Sequence, residues 1–178
     1  MRIISGALGG RNFESPHGHR THPMSEKIRG AIFNALGDIE GLTVLDPFAG
    51  SGALSFEAIS RGASSATAID SDKSAYNIVK KNIFSLGVED KVHVTHAFNG
   101  SWSTRHKAEL FDLVLLNPPY DLYEVEEVEK LALHAKTGGI AVFSLPIKAR
   151  LILDEKKFKQ LSFKSYGDAT LSFYRRVA

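Results

Sequence analysis

A short polar and aromatic motif, Asn117-Pro118-Pro119-Tyr120, follows an apolar run that is typical of a buried strand. The two prolines stiffen the turn and restrict the residue before each of them. The Asn117 side-chain oxygen and the Pro118 carbonyl then offer two hydrogen-bond acceptors, and Tyr120 offers a flat face for stacking. This set matches the exocyclic amine of a planar base. We predict that the motif holds such an amine for an in-line displacement driven by positioning, with its proton leaving late because Asn is no base.

A glycine-rich segment at 46–52, Asp-Pro-Phe-Ala-Gly-Ser-Gly, joins a predicted strand to a predicted helix. Glycines there allow positive φ and let a ligand approach the backbone closely. The segment lacks Gly-Lys-Ser/Thr, which excludes a P-loop. Ser55 stands where a dinucleotide fingerprint has its third glycine, so a nicotinamide site matches only in part.

Asp46, at the tip of the predicted strand, distinguishes between the classes of ligand that remain possible. Its carboxylate would repel a pyrophosphate at the helix N-terminus but attract a cation. S-adenosylmethionine carries an ammonium, a sulfonium and no phosphate. Asp70 ends the next strand, where it can accept hydrogen bonds from ribose hydroxyls, whereas Asp72 fits a helix cap better. We therefore predict an S-adenosylmethionine site at Asp46, Phe48, Gly50, Gly52 and Asp70.

Strand-like and helix-like periodicities alternate along the chain and predict a doubly wound α/β fold with a mostly parallel sheet. One domain spans 1–178, with a hairpin and loop extension at 1–24 and a catalytic core at 25–178. The predicted hairpin pairs 2–5 with 11–14, and an antiparallel pair at 161–166 and 169–177 closes the chain. Further strands are predicted at 43–45, 66–69, 92–95, 111–116 and 140–145, and helices at 25–36, 53–61, 72–86 and from 125 until Gly138-Gly139, with 98–110 irregular or loosely helical.

The chain has 178 residues and no cysteine, which excludes disulfides, thiolate metal sites and a cysteine nucleophile. Its apolar runs are too short to cross a bilayer and no secretion signal is evident, so we expect a cytoplasmic monomer. The net charge of +2 combines +3 over 1–36, −6 over 37–144 and +5 over 145–178. Basic ends around an acidic centre are a hint of a polyanion partner, although uneven surface lysines also explain them.

Together these motifs resemble a Rossmann-like, S-adenosylmethionine-dependent amino-methyltransferase, and the whole chain is similar to the RsmD-type family. Further similarities are Arg2-Ile3-Ile4-Ser5-Gly6 and Gly10-Arg11 in an opening hairpin, 23–29 running into a first helix, and Tyr166-Gly167-Asp168 in a closing hairpin. The resemblance implies methylation of a guanine N2 amine in small-subunit (16S) ribosomal RNA, with the RNA presented within a small-subunit assembly particle. It also implies seven strands, the last antiparallel, and an N-terminal hairpin and loop that help hold RNA.

Three departures from the family pattern carry consequences. The family usually has Asp before Pro-Pro, and Asn117 is the form common in adenine-N6 methyltransferases, so methylation of adenine N6 in DNA or RNA is the alternative. The N-terminal loop has His22-Pro23-Met24 and Glu26-Lys27 in place of the family's Arg-Pro-Thr and Asp-Arg. The family's acidic residue near the adenine is missing at 96–98, so backbone groups and the Phe98 ring are expected to hold the adenine.

Four cations near the N-terminus, Arg11, Arg20, Lys27 and Arg29, are candidate contacts to RNA phosphates. The cations of the C-terminal part, Lys148, Arg150, Lys156, Lys157 and Lys159, are expected to be ordinary surface. His17, His19 and His22 share a loop, but no carboxylate stands at ligand spacing and we predict no metal. A non-catalytic nucleic-acid-binding module and a nicotinamide oxidoreductase are the other functional classes. Asp46, Asp70 and Asn117 disfavour the first, and Asp46 and Ser55 disfavour the second.

Overall fold

A computed structural model describes residues 1–17, 23–151 and 153–178. Its centre is a seven-stranded sheet in the order β3-β2-β1-β4-β5-β7-β6. Five strands run parallel, and β7 is antiparallel to both of its neighbours. This confirms the doubly wound α/β sheet, the seven strands and the antiparallel last strand. The strands are β1 Thr43–Asp46, β2 Ser65–Asp70, β3 Val92–His96, β4 Phe111–Leu116, β5 Ala135–Pro146, β6 Phe158–Tyr166 and β7 Ala169–Arg176.

Five helices connect the strands, and local capping explains where the longer ones begin and end. Ser25 caps the first helix by accepting from the Ile28 amide, and Asp72 caps the third by accepting from the Ala75 amide. Gly87 ends the third helix in the left-handed conformation. Because these capping signals are local, the predicted ends of these two helices lie within a residue or two of the observed ends. The helices are α1 Glu26–Leu36, α2 Ala53–Ser60, α3 Lys73–Leu86, α4 Asn99–Arg105 and α5 Val125–Ala132.

The helices cover both faces of the sheet and bury two apolar clusters. One cluster joins α1, α2 and α3 to the sheet through Phe33, Phe56 and Val79. The other joins α4 and α5 to the opposite face through Trp102 and Leu131. The chain runs outward from β1 to β2 and β3, and later from β4 to β5, so the strand order reverses between β1 and β4. Ligands of such sheets bind at the carboxyl ends of the strands beside this reversal.

The glycine pair that was expected to stop the helix after 125 instead lies inside a strand. Helix α5 ends at Ala132, and β5 begins at Ala135 and runs through Gly138-Gly139. The pairing of β5 with β4 shifts register between Phe111 and Leu113, as in a β-bulge. A Cβ on Gly139 would lie 2.8 Å from the Asp112 carbonyl oxygen. Gly139 therefore serves a close approach of two strands, and Gly138 supplies a φ of 86° that favours glycine.

The N-terminal segment forms a short antiparallel hairpin that is attached to the last two turns of α2. Arg2 and Asn12 form its antiparallel bridge, and backbone hydrogen bonds join Met1 to Phe13 and Ile3 to Arg11, so the predicted hairpin is present but shorter than expected. The carboxylate of buried Glu57 accepts from the Ile4 and Ser5 amides, at 2.8 and 3.1 Å. These contacts fix the hairpin against the core through a buried side chain of α2. Among the described residues no helix has the length and apolarity that crossing a bilayer requires.

Candidate functional site

The turn after β1 has the backbone conformation that a close ligand requires. Gly50 and Gly52 have φ of 55° and 82°, in the left-handed region that favours glycine. A Cβ on Gly52 would lie 2.5 Å from the Phe56 ring, so the start of α2 is packed tightly. A Cβ on Gly50 would meet nothing within 4 Å. The turn thus presents an open backbone surface at Gly50, above a rigid helix start.

Asp46 ends β1 beneath this turn and is completely buried. The Ser55 hydroxyl donates to its Oδ2 at 2.8 Å, whereas its Oδ1 has no hydrogen-bond partner in the described structure. Burial raises the pKa of Asp46 to about 7, against the opposing hydrogen bond from Ser55. A buried carboxylate oxygen without a donor is unfavourable unless something supplies one. The site is therefore electrostatically suited to an incoming cation or a bound donor.

Asp70 lies beside the same turn at the end of β2. In the parallel pairing of β1 with β2, Asp46 aligns with Ala68, so Asp70 extends two residues further toward the site. Its carboxylate accepts from the Gly50 and Asp72 amides, both at 2.8 Å. Burial raises the pKa of Asp70, and these two backbone donors oppose the shift. The contact with Gly50 makes Asp70 part of the turn's structure as well as a candidate ribose ligand.

Two aromatic rings flank these carboxylates. Phe48 is half-buried in the turn and packs against the cluster on the α4 and α5 face. Phe98 follows β3, and the neighbouring Ala97 amide donates to the Asp70 carbonyl at 3.0 Å. The Phe98 ring is 73% exposed, which is unusual for so large an apolar side chain. An exposed ring next to Asp70 is available to stack on a flat ligand.

The Asn117-Pro118-Pro119-Tyr120 motif follows β4, on the other side of β1. Leu45 of β1 pairs with Val114 of β4, so Asn117 also extends beyond the level of Asp46. Asn117 is half-buried and Pro118 is buried. The Tyr120 hydroxyl lies 3.2 Å from the hydroxyl of buried Ser144 in β5. Asp46, Asp70 and Asn117 thus meet at one edge of the sheet, at the reversal of strand order.

The four candidate RNA contacts have different surroundings. Arg29 is completely buried in α1, 3.5 Å from Glu57, and donates to the Arg2 carbonyl at 2.5 Å. It therefore holds the N-terminal segment, and its prediction as a phosphate contact was wrong because it has no surface to offer. Arg11 is exposed but donates to the Ser85 and Leu86 carbonyls at the end of α3. Lys27 is exposed on α1, and Arg20 lies outside the described residues.

Three polar residues at the site were not singled out in the sequence. Ser55 stands where a dinucleotide fingerprint has its third glycine, and in the structure it is the hydrogen-bond donor to Asp46. Asn82 interrupts the apolar stripe of α3, which was the available signal, and its amide bonds both Glu14 and the Ser51 carbonyl. Ser144 sits within an apolar strand and carried no signal. Within the described residues, no three His, Asp or Glu side chains are grouped as metal ligands would be; two of the three loop histidines, His19 and His22, lie outside them.

Comparison with known proteins assigns the chain to a family. Residues 1–175 match the family described as Conserved hypothetical protein 95. Ribosomal RNA small subunit methyltransferase D of Haemophilus influenzae is 31% identical over 74% of this chain and 69% of its own length. The chain belongs to the RsmD-type methyltransferase family. The family resemblance seen in the motifs is thereby confirmed.

One further relative and one solved structure give the same picture. Ribosomal RNA small subunit methyltransferase D of Escherichia coli K12 is 33% identical over 74% of this chain and 66% of its own length. The solved structure of the Escherichia coli protein yhhF is similar with a TM-score of 0.88 and 27% identity, covering 100% of this chain and 98% of that one. The likeness over entire chains includes the N-terminal segment as well as the sheet.

Proposed function

We propose that this RsmD-type protein transfers a methyl group from S-adenosylmethionine to the exocyclic N2 amine of a guanine in small-subunit ribosomal RNA. The observation that carries the proposal is the meeting of Asp46, Asp70 and Asn117 at the reversal of strand order. This end of the sheet brings two carboxylates beside a candidate amine-binding motif, which is what transfer between a cationic donor and an amine requires. The names of the family's relatives support ribosomal RNA as the substrate class.

The chemistry of the site around Asp46, Gly50 and Asp70 fits the cofactor. The unpartnered Oδ1 of Asp46 is suited to the cofactor's ammonium, directly or through one water. The open space over Gly50 admits the ligand against the backbone, and Asp70 can accept from ribose hydroxyls. Phe98 and the backbone at 96–98 would hold the adenine, with Phe48 closing the pocket from the turn. When bound, the cofactor supplies a methyl carbon made electrophilic by the adjacent sulfonium.

The second half of the site would hold the base. The Asn117 side-chain oxygen and the Pro118 carbonyl accept the two amine hydrogens, and Pro119 keeps the turn rigid. Tyr120 stacks on the base, and its contact with Ser144 fixes the ring. Asn117 and Pro118 would thereby aim the amine nitrogen at the methyl carbon of a bound cofactor; transfer would leave S-adenosylhomocysteine, and the extra proton of the amine would pass to water. Positioning carries most of the rate enhancement because Asn117 does not act as a base.

The RNA must present an unstacked base to reach this edge. Arg11, Lys27 and Arg20 belong to the segment expected to contact RNA near the first helix. We expect a monomer to act on an assembling small-subunit particle in the cytoplasm, since ordered RNA and protein there can present one nucleotide. Within this proposal the N-terminal cations bind phosphate and the loop motif selects the base.

Adenine N6 is the second candidate acceptor, and Asn117 is the observation that favours it. A neutral side chain ahead of Pro-Pro accepts an amine hydrogen from either base. Because Asn117 carries no charge, it discriminates less strongly between guanine and adenine. Guanine N2 remains the proposed acceptor because the family resemblance covers the whole chain.

The decisive experiment uses S-adenosylmethionine labelled in its methyl group with unmethylated small subunits, protein-free 16S RNA and DNA. Nucleoside analysis should recover N2-methylguanosine from the ribosomal RNA. Recovery of N6-methyladenosine instead would establish the second candidate. Asn117→Ala should abolish transfer while leaving the affinity for S-adenosylhomocysteine nearly unchanged, and persistent transfer would refute the role of this motif.

Cofactor identity has its own test by calorimetry with S-adenosylhomocysteine and NAD. Binding of S-adenosylhomocysteine alone is expected, since Asp46 disfavours a pyrophosphate at the start of α2. Binding of NAD alone would overturn the cofactor assignment. Asp70→Asn and the exposed control Asp90→Asn form a matched pair, of which only the first should weaken S-adenosylhomocysteine binding.

A further inference from the structure

Two loops form the rim of the site beyond Tyr120. One is the segment 121–124 between the Asn117–Tyr120 motif and α5, and the other is 147–150, directly after β5. The contact between the Tyr120 and Ser144 hydroxyls ties the β4 loop to the end of β5. A nucleic-acid strand that places a base on Tyr120 must pass over these loops, because they border the same edge of the sheet.

The rim exposes two large apolar side chains. Leu122 is 76% exposed and Ile147 is 54% exposed, each on one of the two loops. Each loop also has a side chain that packs inward. Tyr123 on one loop and Ala149 on the other pack against the buried cluster of the α5 face. Apolar side chains held outward at a rigid rim resemble the wedges that nucleic-acid-binding proteins insert between bases.

Charge on the rim is divided between its two sides. Exposed Lys148 and Arg150 follow Ile147 on the β5 side, and in the described residues neither forms an ion pair. Exposed Asp121, Glu124 and Glu126 occupy the α5 side. A polyanion would be repelled from the acidic side and attracted to the basic one. The phosphates of a bound strand are thus directed across 147–150.

We propose that Leu122 and the loop 147–150 form a second RNA-docking rim, which grips the single strand flanking the target nucleotide. Leu122 and Ile147 contact the bases next to the extruded one and favour its unstacking. Lys148 and Arg150 neutralise two backbone phosphates. This assigns a function to two cations that the sequence alone placed among ordinary surface residues, and it rests on the proposed RNA methylation.

The test compares two double variants that remove the same charge. Lys148→Ala/Arg150→Ala changes the rim, and Lys156→Ala/Lys157→Ala changes two exposed cations at the opposite edge. They are opposite because Phe158 pairs with Arg176 at one end of β7, while Pro146 pairs with Ala169 at the other. The rim variant should weaken binding to protein-free 16S RNA about fivefold or more at moderate salt and reduce the salt slope by about 1.4. The control should do neither.

A third variant tests the wedge. Leu122→Ala/Ile147→Ala should lower kcat/KM about tenfold on structured RNA and much less on a short RNA whose target base is already unpaired. Affinity for S-adenosylhomocysteine should stay unchanged in all three variants, which also reports that the site is folded.

Several results would overturn the proposal that this rim docks RNA. Equal losses in the rim and control variants would show general charge attraction instead of docking. A loss seen with small subunits but absent with protein-free RNA would place a ribosomal protein here. If the wild-type chain methylates RNA and the rim variants match it, only this proposal fails. If the wild-type chain methylates no RNA, the proposed function fails first and this rim fails with it.

Discussion

Asn82 and Glu14 exchange two hydrogen bonds, from the Glu14 amide to Asn82 Oδ1 at 2.9 Å and from Asn82 Nδ2 to the Glu14 carbonyl at 2.8 Å. The same Nδ2 also donates to the Ser51 carbonyl at 3.3 Å. The buried carboxamide of Asn82 thus joins the N-terminal segment to the turn after β1. A displacement of Glu14 is therefore transmitted through Asn82 to the Ser51 backbone in that turn.

Asn82→Ala should lower the free energy of unfolding by about 2 kcal/mol, because it removes a hydrogen-bond partner from the part-buried backbone of Glu14 and from the buried Ser51 carbonyl. It should also weaken S-adenosylhomocysteine binding through the turn. Urea titration and calorimetry measure the two effects. The control is Asn77→Ala, an exposed residue of the same helix, which should change neither quantity. Equal behaviour of the two variants would contradict the coupling.

Arg29→Ala should destabilise the fold by about 3–5 kcal/mol, since it leaves the Glu57 carboxylate buried with one fewer cation. Arg61 still pairs with Glu57 at 2.8 Å and limits the loss. Lys27→Ala, an exposed neighbour in α1, should leave stability unchanged. Thermal unfolding of the two variants gives the comparison. A stable Arg29→Ala protein with weakened RNA binding would restore Arg29 as a phosphate contact.

Asp46 should make the stability of the cofactor-free protein fall as pH rises from about 4 to about 7. Its pKa is about 7 in the fold, above the ordinary value of an unfolded Asp, so the folded state binds the extra proton across this window. Below the window both states are protonated and the penalty vanishes; above it the penalty is complete. Asp46→Asn should remove this component, so its stability relative to wild type should increase between pH 4 and pH 8. Urea titrations at several pH values would show a constant difference if Asp46 ionises normally.

The same shift predicts proton release when the cofactor's ammonium is bound. A nearby cation favours ionised Asp46, so S-adenosylhomocysteine affinity should rise with pH through about 7. Calorimetry in buffers of different ionisation enthalpy counts the released proton. Asp46→Asn should abolish the release. Unchanged release in this variant would assign the proton to another group.

Gly52→Ala should destabilise the protein by about 3 kcal/mol, because its φ of 82° is strained for alanine and the new Cβ meets the Phe56 ring at 2.5 Å. Gly138→Ala is the matched control. Gly138 has φ of 86°, but a Cβ there meets nothing within 4 Å, so only the backbone cost of about 1–2 kcal/mol remains. Denaturant midpoints distinguish the pair, and equal losses would show that the Phe56 contact costs nothing.

The alternation of strands and helices could be read from the sequence because it depends on local periodicity and capping. Asp46, Asp70 and Asn117 could be brought together because parallel strands end at one edge. Arg29 could not be placed, since its partner Glu57 is distant in sequence and lies in a different helix. The prediction that Gly138-Gly139 ends a helix was wrong for the same reason, because the close approach of Asp112 to Gly139 comes from a different strand. Contacts between distant segments leave no periodic signal.

The position of β7 has a consequence for biosynthesis. It follows β6 in the chain, yet it lies between β5 and β6 in the sheet. When β6 emerges from the ribosome, β5 cannot accept it, because their common neighbour has not been made. The backbone edges of β5 and β6 therefore stay unpaired until β7 is made, and this interval is when a chaperone would have most to protect.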